Sequence, residues 1–346
     1  MPNLQEVRFA DVDLSDPFFD SLKSDYREFP EWFRRKAEEP AYVHYDDTGR
    51  VDGFLYVKLE DGELGDVAPK LPSAHRLKVG TMKISPHGTL LGERFVKKIF
   101  DHALKYKVDE IYTTVFPKHE ALIKLLGRYG FCEAAKKGGE LVLARNMRSE
   151  YIDILASYPY IKLGDRNIYL LAIYPKWHTR LFPDSILNTE SAEIISDISH
   201  TNSIHKVYIA GMQGMERLQS GDILLIYRTA DNNENAEFKS VATSICVVEE
   251  YRHIRTFVAK NDFLGYCERY SVFDKFELSK FWDEKKYQHI IRFTYNLALT
   301  KRVTRKWIAD NAHIDRGLRW GFMPLKRVQF LSIIKEGKVD ETVIVD

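Results

Sequence analysis

Hydrophobic positions recur along this chain with two periods, and the changes of period mark its elements. Helical spacing over Pro17–Lys23 and Pro30–Glu39, the second stretch charged and carrying Trp32 and Phe33, gives way to two alternating runs, Ala41–Tyr45 and Gly53–Leu59. Asp46-Asp47-Thr48-Gly49 joins those runs, which predicts strand–turn–strand. A third apolar run, Leu77–Ile84, is broken by Ser85-Pro86-His87-Gly88. From Leu91 the period becomes helical through Phe95, Ile99, Ala103 and Leu104. Val108–Phe116 is β-rich and stopped by Pro117. Leu122, Leu125, Leu126 and Tyr129 make a short helical face closed by Gly130. Phe131–Lys136 and Glu140–Arg145 flank Gly138-Gly139 as a closing hairpin. Two helices, three strands, then helix, strand, helix and two strands describe an α/β domain built on a mixed sheet.

Beyond a connection at 148–165, which holds Pro159 and Gly164, the pattern changes to separated strand-like runs: Ile168–Tyr174, Lys206–Ala210, Ile223–Tyr227, Val241–Val248 and His289–Ala298. Polar breaks and short helical patterns lie between them, and Asp231–Asn235 reads as a hairpin tip. This predicts a mainly-β barrel decorated by helices. The expected domains are therefore 1–147 and 166–346, and a chain of 346 residues is about the right length for two.

Composition narrows the function only a little. A net charge of +1 leaves no global field to name a partner. Cys132, Cys246 and Cys267 are odd in number, far apart and without a CxxC, so neither a disulfide framework nor a metal site is expected. No apolar stretch approaches the ~18–20 residues that span a bilayer. The expectation is a soluble, cytoplasmic protein with no membrane partner.

Candidate chemistry concentrates in Ile84–Phe131. A strand runs into His87-Gly88-Thr89-Leu90-Leu91-Gly92 and then into an amphipathic helix. Free N–H groups and the dipole at a helix start favour an anion, and Gly88 and Gly92 would let main chain approach it, with Lys97 and Lys98 one turn on. The loop resembles the pyrophosphate loop of the GNAT acetyltransferase superfamily, Arg/Gln-x-x-Gly-x-Gly/Ala, with His87 and Leu90 replacing the usual residues. Val115-Phe116-Pro117-Lys118-His119-Glu120-Ala121-Leu122-Ile123-Lys124-Leu125-Leu126-Gly127-Arg128-Tyr129-Gly130-Phe131 resembles that family's Val-x-Pro-x-Asn-x-x-Ala-Ile-x-Leu-Tyr-x-x-x-Gly-Phe run. The resemblance covers roughly 5–145.

It implies a GNAT-like mixed sheet with flanking helices, acetyl-CoA as cofactor and N-acetyltransferase activity. The strand before the loop would splay from its neighbour, and main chain at Met82, Lys83 and Ile84 would bind the pantetheine arm. His87, Gly88, Thr89, Leu90, Leu91 and Gly92 would hold the pyrophosphate, with His119 making a polar contact. The family's thiolate-protonating Tyr falls on Leu126; Tyr129, three residues later on roughly the same helical face, is the substitute candidate or a core aromatic. Glu60 is the base candidate or a solvated turn charge.

Ile173-Tyr174-Pro175-Lys176-Trp177 and Gly221-Asp222-Ile223-Leu224-Leu225-Ile226-Tyr227 resemble parts of the PUA-like superfamily, in its ASCH branch. Phe182-Pro183-Asp184-Ser185 stands where that branch carries a Gly-x-Lys-x-x-Glu-type motif. The resemblance implies a PUA-like barrel with a face for RNA or a modified base. Separately, nine Lys/Arg against two Asp lie between Lys301 and Lys335, interleaved with Trp307, Trp320 and Phe322. Such a run neutralises phosphates and stacks on bases, or is a solvated face. The nucleic-acid candidates are Lys176, Trp177, Arg305, Arg316, Arg319, Trp320, Lys326 and Arg327. Two functions follow: an acetyltransferase acting on an amine of an RNA-linked substrate such as tRNA, or a catalytically silent CoA-binding fold joined to an RNA- or modified-base-binding module.

Overall fold

The computed structural model describes residues 4–85, 90–149, 151–182, 185, 203–231 and 234–346. The chain divides into two compact units, Met1–Tyr151 and Ile152–Asp346.

The first unit contains β1 (Leu4–Arg8), α1 (Asp20–Asp25), α2 (Phe29–Arg35), β2 (Pro40–Tyr45), β3 (Val51–Leu64), β4 (Leu71–Ile84), α3 (Leu91–Lys105), β5 (Glu110–Val115), α4 (Glu120–Arg128), β6 (Cys132–Lys137) and β7 (Glu140–Asn146). Its sheet runs β1-β2-β3-β4-β5-β7-β6 and is antiparallel except between β4 and β5. β3 and β4 form a long hairpin that reaches past the Gly53–Leu59 and Leu77–Ile84 runs read from the sequence. At its tip, Ala68 bridges to Lys136, and Val67 packs on Tyr112, Ala135, Val142 and Ala144.

Local chemistry accounts for the turns. Asp46 accepts from the N–H groups of Thr48 and Arg50, and Gly49 takes a positive φ of 84°. Gly138 and Gly139 both have positive φ, as a tight hairpin turn requires. The two faces of the sheet are covered separately. Phe54 joins Phe9, Phe19, Phe29 and Phe33 in one core, while Gly53 leaves room for Leu91 and Phe95 of α3 on the other face.

In the second unit, α5 (Ile154–Ser157) and β8 (Ile161–Lys162) precede β9 (Ile168–Ile173), α6 (Pro175–Leu181), β10 (His205–Ala210), β11 (Ile223–Arg228), α7 (Ala236–Lys239), β12 (Val241–His253), α8 (Lys260–Glu268), α9 (Lys275–Glu284) and β13 (His289–Thr304). α10 (Arg305–Asn311), β14 (Phe322–Leu325), α11 (Arg327–Glu336) and β15 (Ile344–Val345) follow. The expected barrel takes the form of a six-stranded mixed sheet, β10-β13-β12-β11-β9-β14, and among the described residues its edge strands do not pair with each other. The sequence pattern missed β14, an edge strand carrying Pro324. Asn235 caps α7, while Asn232 and Asn233 of the expected hairpin tip lie outside the described residues. Among the described residues, no helix is long and apolar enough to cross a membrane.

Candidate functional site

The first unit's sheet opens along one line. β4 and β5 pair at Arg76/Glu110, Leu77/Ile111, Lys78/Tyr112 and Val79/Thr113, and then part. β4 continues to Ile84 against β3 alone, while Thr114 and Val115 of β5 continue against β7. Gly80 sits at the parting point as a bulge, because Tyr56 faces Thr81 and Val57 faces Val79, leaving Gly80 without a partner in β3. A Cβ at Gly80 would come within 2.7 Å of the Tyr56 ring. Thr113 donates its hydroxyl to the Val79 carbonyl at 3.0 Å, at the last pair of the ladder. At the closed end, buried Arg76 donates to Glu110 at 2.6 Å and to the Gly62 and Pro72 carbonyls. The edge of β4 holding Met82, Lys83 and Ile84 therefore has no described strand paired with it on the β5 side.

Just beyond, α3 starts from Leu90 without a side-chain cap on its first N–H groups. His87, Gly88 and Thr89 lie outside the described residues. Leu90 and Leu91 are buried, so they contribute side chains to the core and only main chain to the helix start. Gly92 also has a packing task. Its missing Cβ would meet Leu125 of α4 at 2.9 Å, so the glycine lets the two helices close on each other. Lys97 pairs with Asp101 and Lys98 lies over the Tyr42 ring, which occupies both expected counter-charges. Arg94 went unread in the sequence. It is buried in the first turn of α3, no described acid pairs with it, and burial lowers its pKa to about 10.

The acid and base candidates fare differently. Tyr129 is fully buried, its ring 6.3 Å from that of Phe100. Glu60 stands on the face opposite α3, three residues beyond the opening, and accepts hydrogen bonds from Tyr112 and Lys58, with Lys78 at 3.8 Å. Burial works to raise its pKa, but those donors and the two lysine charges outweigh it and hold the carboxyl below its ordinary value. A carboxylate so occupied is a poor proton acceptor, and the base assignment is withdrawn on that ground. His119 precedes α4 and approaches Asp25 at 3.4 Å, beside the Lys118–Asp25 pair. Tyr26 donates to Glu140 and packs on Phe116. Segment 18–26 is thus tied to the strand ends around the opening.

In the second unit the cation-rich segment is largely paired. Arg316 binds Glu237 and Asp310, Lys306 also binds Asp310, Lys301 binds Glu336, and Arg327 binds Asp346. Trp320 donates to the Asp315 carbonyl and has the Arg305 guanidinium 4.9 Å from its ring centroid, with Tyr227 at 5.6 Å, so its expected open stacking face is covered. Trp177 packs on Phe273 at 4.7 Å, with Lys176 4.4 Å from its centroid. Arg319 and Lys326 are exposed, with no ion pair among the described residues. Inside this unit runs a polar chain that the sequence did not reveal. His178 meets Thr243 at 2.8 Å, Ser244 meets Ser185 at 2.7 Å, and Ser185 meets Tyr295 at 2.9 Å. Among the described residues no group of His, Cys, Asp and Glu side chains could hold a metal ion.

The sheet thus opens between two parallel strands, β4 and β5, and the next described element after β4 is the helix that begins at Leu91. No family model matches this chain, and no curated protein does. Solved structures similar to parts of it include a putative phosphinothricin N-acetyltransferase, 20% identical, covering 42% of this chain and 99% of that one at a TM-score of 0.31. The N-acetyltransferase PseH of Campylobacter jejuni is 12% identical, covering 43% of this chain and 100% of its own at 0.28. A ZmASCH mutant protein from Zymomonas mobilis is 7% identical, covering 50% of this chain and 99% of its own at 0.31.

Proposed function

We propose that the first unit binds acetyl-CoA and transfers its acetyl group to an amine. The observation that carries this reading is the parting of β4 from β5 after Val79/Thr113. The pantetheine arm lies in that gap along Met82, Lys83 and Ile84, completing the main-chain hydrogen bonds that β5 leaves unmade. The pyrophosphate lies at the start of α3, where uncapped N–H groups meet it. Chemistry then needs a neutral amine to attack the thioester carbonyl carbon and the thiolate to leave, with holding in place supplying most of the acceleration. Tyr129 is the proposed donor to the thiolate. Hydrogen exchange on the full chain tests the site: acetyl-CoA should slow amide exchange at 81–84 and 90–93. Binding without protection there overturns the placement, and absence of binding overturns the reading.

A second reading, a CoA-binding fold without turnover, is favoured by the burial of Leu126 and the occupied carboxylate of Glu60. The proposed acceptor is an amine of an RNA-linked substrate such as tRNA, with Arg319 and Lys326 of the second unit binding RNA phosphates. Labelled acetyl-CoA offered separately with tRNA, protein and polyamines distinguishes these readings. Label in tRNA supports the first proposal in full, label in another pool reassigns the acceptor, and binding without any transfer supports the silent fold.

A further inference from the structure

We propose that Lys83 is itself an acetyl acceptor, so that the first unit modifies its own chain; this rests on the acetyl-CoA reading above. Lys83 lies in β4 beyond the parting point, paired with Phe54. Phe54 belongs to the aromatic core on the face of α1 and α2, so the Lys83 side chain leaves the strand on that face, opposite α3. Its Nζ donates to the Phe18 carbonyl and to the Ser21 hydroxyl, and stands 4.8 Å from the centroid of the Phe18 ring.

The neighbouring lysines differ in one respect. Lys58 and Lys78 are held by Glu60, and Lys118 is held by Asp25. Lys83 has no carboxylate within ion-pair distance among the described residues. Burial lowers its pKa, which enlarges the share of neutral amine without a catalytic base. A primary amine that is half-buried, unpaired with any described carboxylate and carried by the strand against which the thioester lies meets the requirements of the reaction.

The step balances with acetyl-CoA alone. The Nζ lone pair attacks the carbonyl carbon, the new N–C bond forms and the C–S bond breaks. The sulfur leaves as the thiolate and receives the proton that the nitrogen releases. The product keeps one N–H where the ammonium had three, so it cannot donate to both Phe18 and Ser21, and no cation remains over the Phe18 ring. Modification therefore loosens segment 18–21 where it borders the opening.

The test is the purified full chain with acetyl-CoA and no other acceptor, followed by intact mass and peptide mapping, with cofactor binding measured in parallel by calorimetry. One acetyl group on Lys83 is expected. It should form at a rate independent of protein concentration, at least ~10-fold faster than on exposed Lys70 or Lys124, as an intramolecular reaction requires. It should be absent in Lys83→Arg. Acetyl phosphate, which bypasses the cofactor site, should show no such preference. Binding of acetyl-CoA without acetylation of Lys83, or equal labelling by acetyl phosphate, overturns the proposal while the cofactor reading stands. No binding overturns both.

Discussion

Among the described residues of the two large sheets, strands pair in parallel twice, and one of the two pairs comes apart. β9 and β11 stay in register over their whole length, from Ile168/Ile223 to Ile173/Arg228, and all twelve residues are buried. β4 and β5 stay together for four pairs and then separate at a residue without a side chain. Continuous apolar cover on both faces is what an undivided parallel ladder needs. Opening one takes three local departures: a bulged glycine, a hydroxyl on the last carbonyl of the ladder, and an antiparallel neighbour that draws the partner strand away.

Breaking the closed end should have the largest effect. Arg76→Met leaves Glu110 and two carbonyls without their shared donor, and should cost the first unit about 3–5 kcal/mol, read by chemical denaturation. A loss below ~1 kcal/mol would show that the ladder closes without it. Filling the parting point comes next. Gly80→Val drives side-chain atoms into the Tyr56 ring and should cost about 1–3 kcal/mol, with weaker acetyl-CoA binding in calorimetry. Unchanged affinity in a folded variant would detach the bulge from ligand binding.

The zipped unit offers a contrast in acid. His178 is fully buried, and burial followed by the charges of Arg228 and Arg302 pushes its pKa from 6.5 down to about 3. The unfolded chain takes up the proton first, so this contribution is complete above pH 6.5 and is lost as pH falls toward 3. The slope is at most ~1.4 kcal/mol per pH unit. His178→Gln should flatten that limb in denaturation curves collected between these pH values, and an unchanged limb would assign it to other groups. Smallest is Thr113→Val, which removes the hydroxyl from the Val79 carbonyl and should cost about 1 kcal/mol in the first unit. A differential scan that resolves the two units should show the second unmoved.

The sequence made the helices of the first unit legible because Leu91, Phe95, Ile99 and Ala103 all face its core. β1 was invisible, since Leu4-Gln5-Glu6-Val7-Arg8 is an edge strand with too little apolar content to alternate. Strands near the loop could be found, yet the parting of β4 and β5 is a matter of register between segments about thirty residues apart. The resemblance to the GNAT family implies a splay there, but no hydrophobic period encodes it. Long-range partners were out of reach of the sequence as well: Glu60 accepts from Tyr112, 52 residues away, and Arg316 donates to Glu237, 79 residues away. Gly92 was legible as a glycine that something approaches closely. That the something is Leu125 could only come from the packing of two helices.

The long β3–β4 hairpin gives the opening a mechanical character. Its tip is fastened to the far side of the sheet by the Ala68–Lys136 bridge, and Arg76 clamps it to β5. From Val79 to Ile84 the arm that β5 leaves, still paired with β3, is about 16 Å long at the usual rise per residue. A tilt of ten degrees about the last paired residues, Val79 and Thr113, would carry the Ile84 end through about 3 Å. The arm is thus a cantilever, rooted at the Arg76–Glu110 pair and braced along one edge by β3, with no described strand along its other edge.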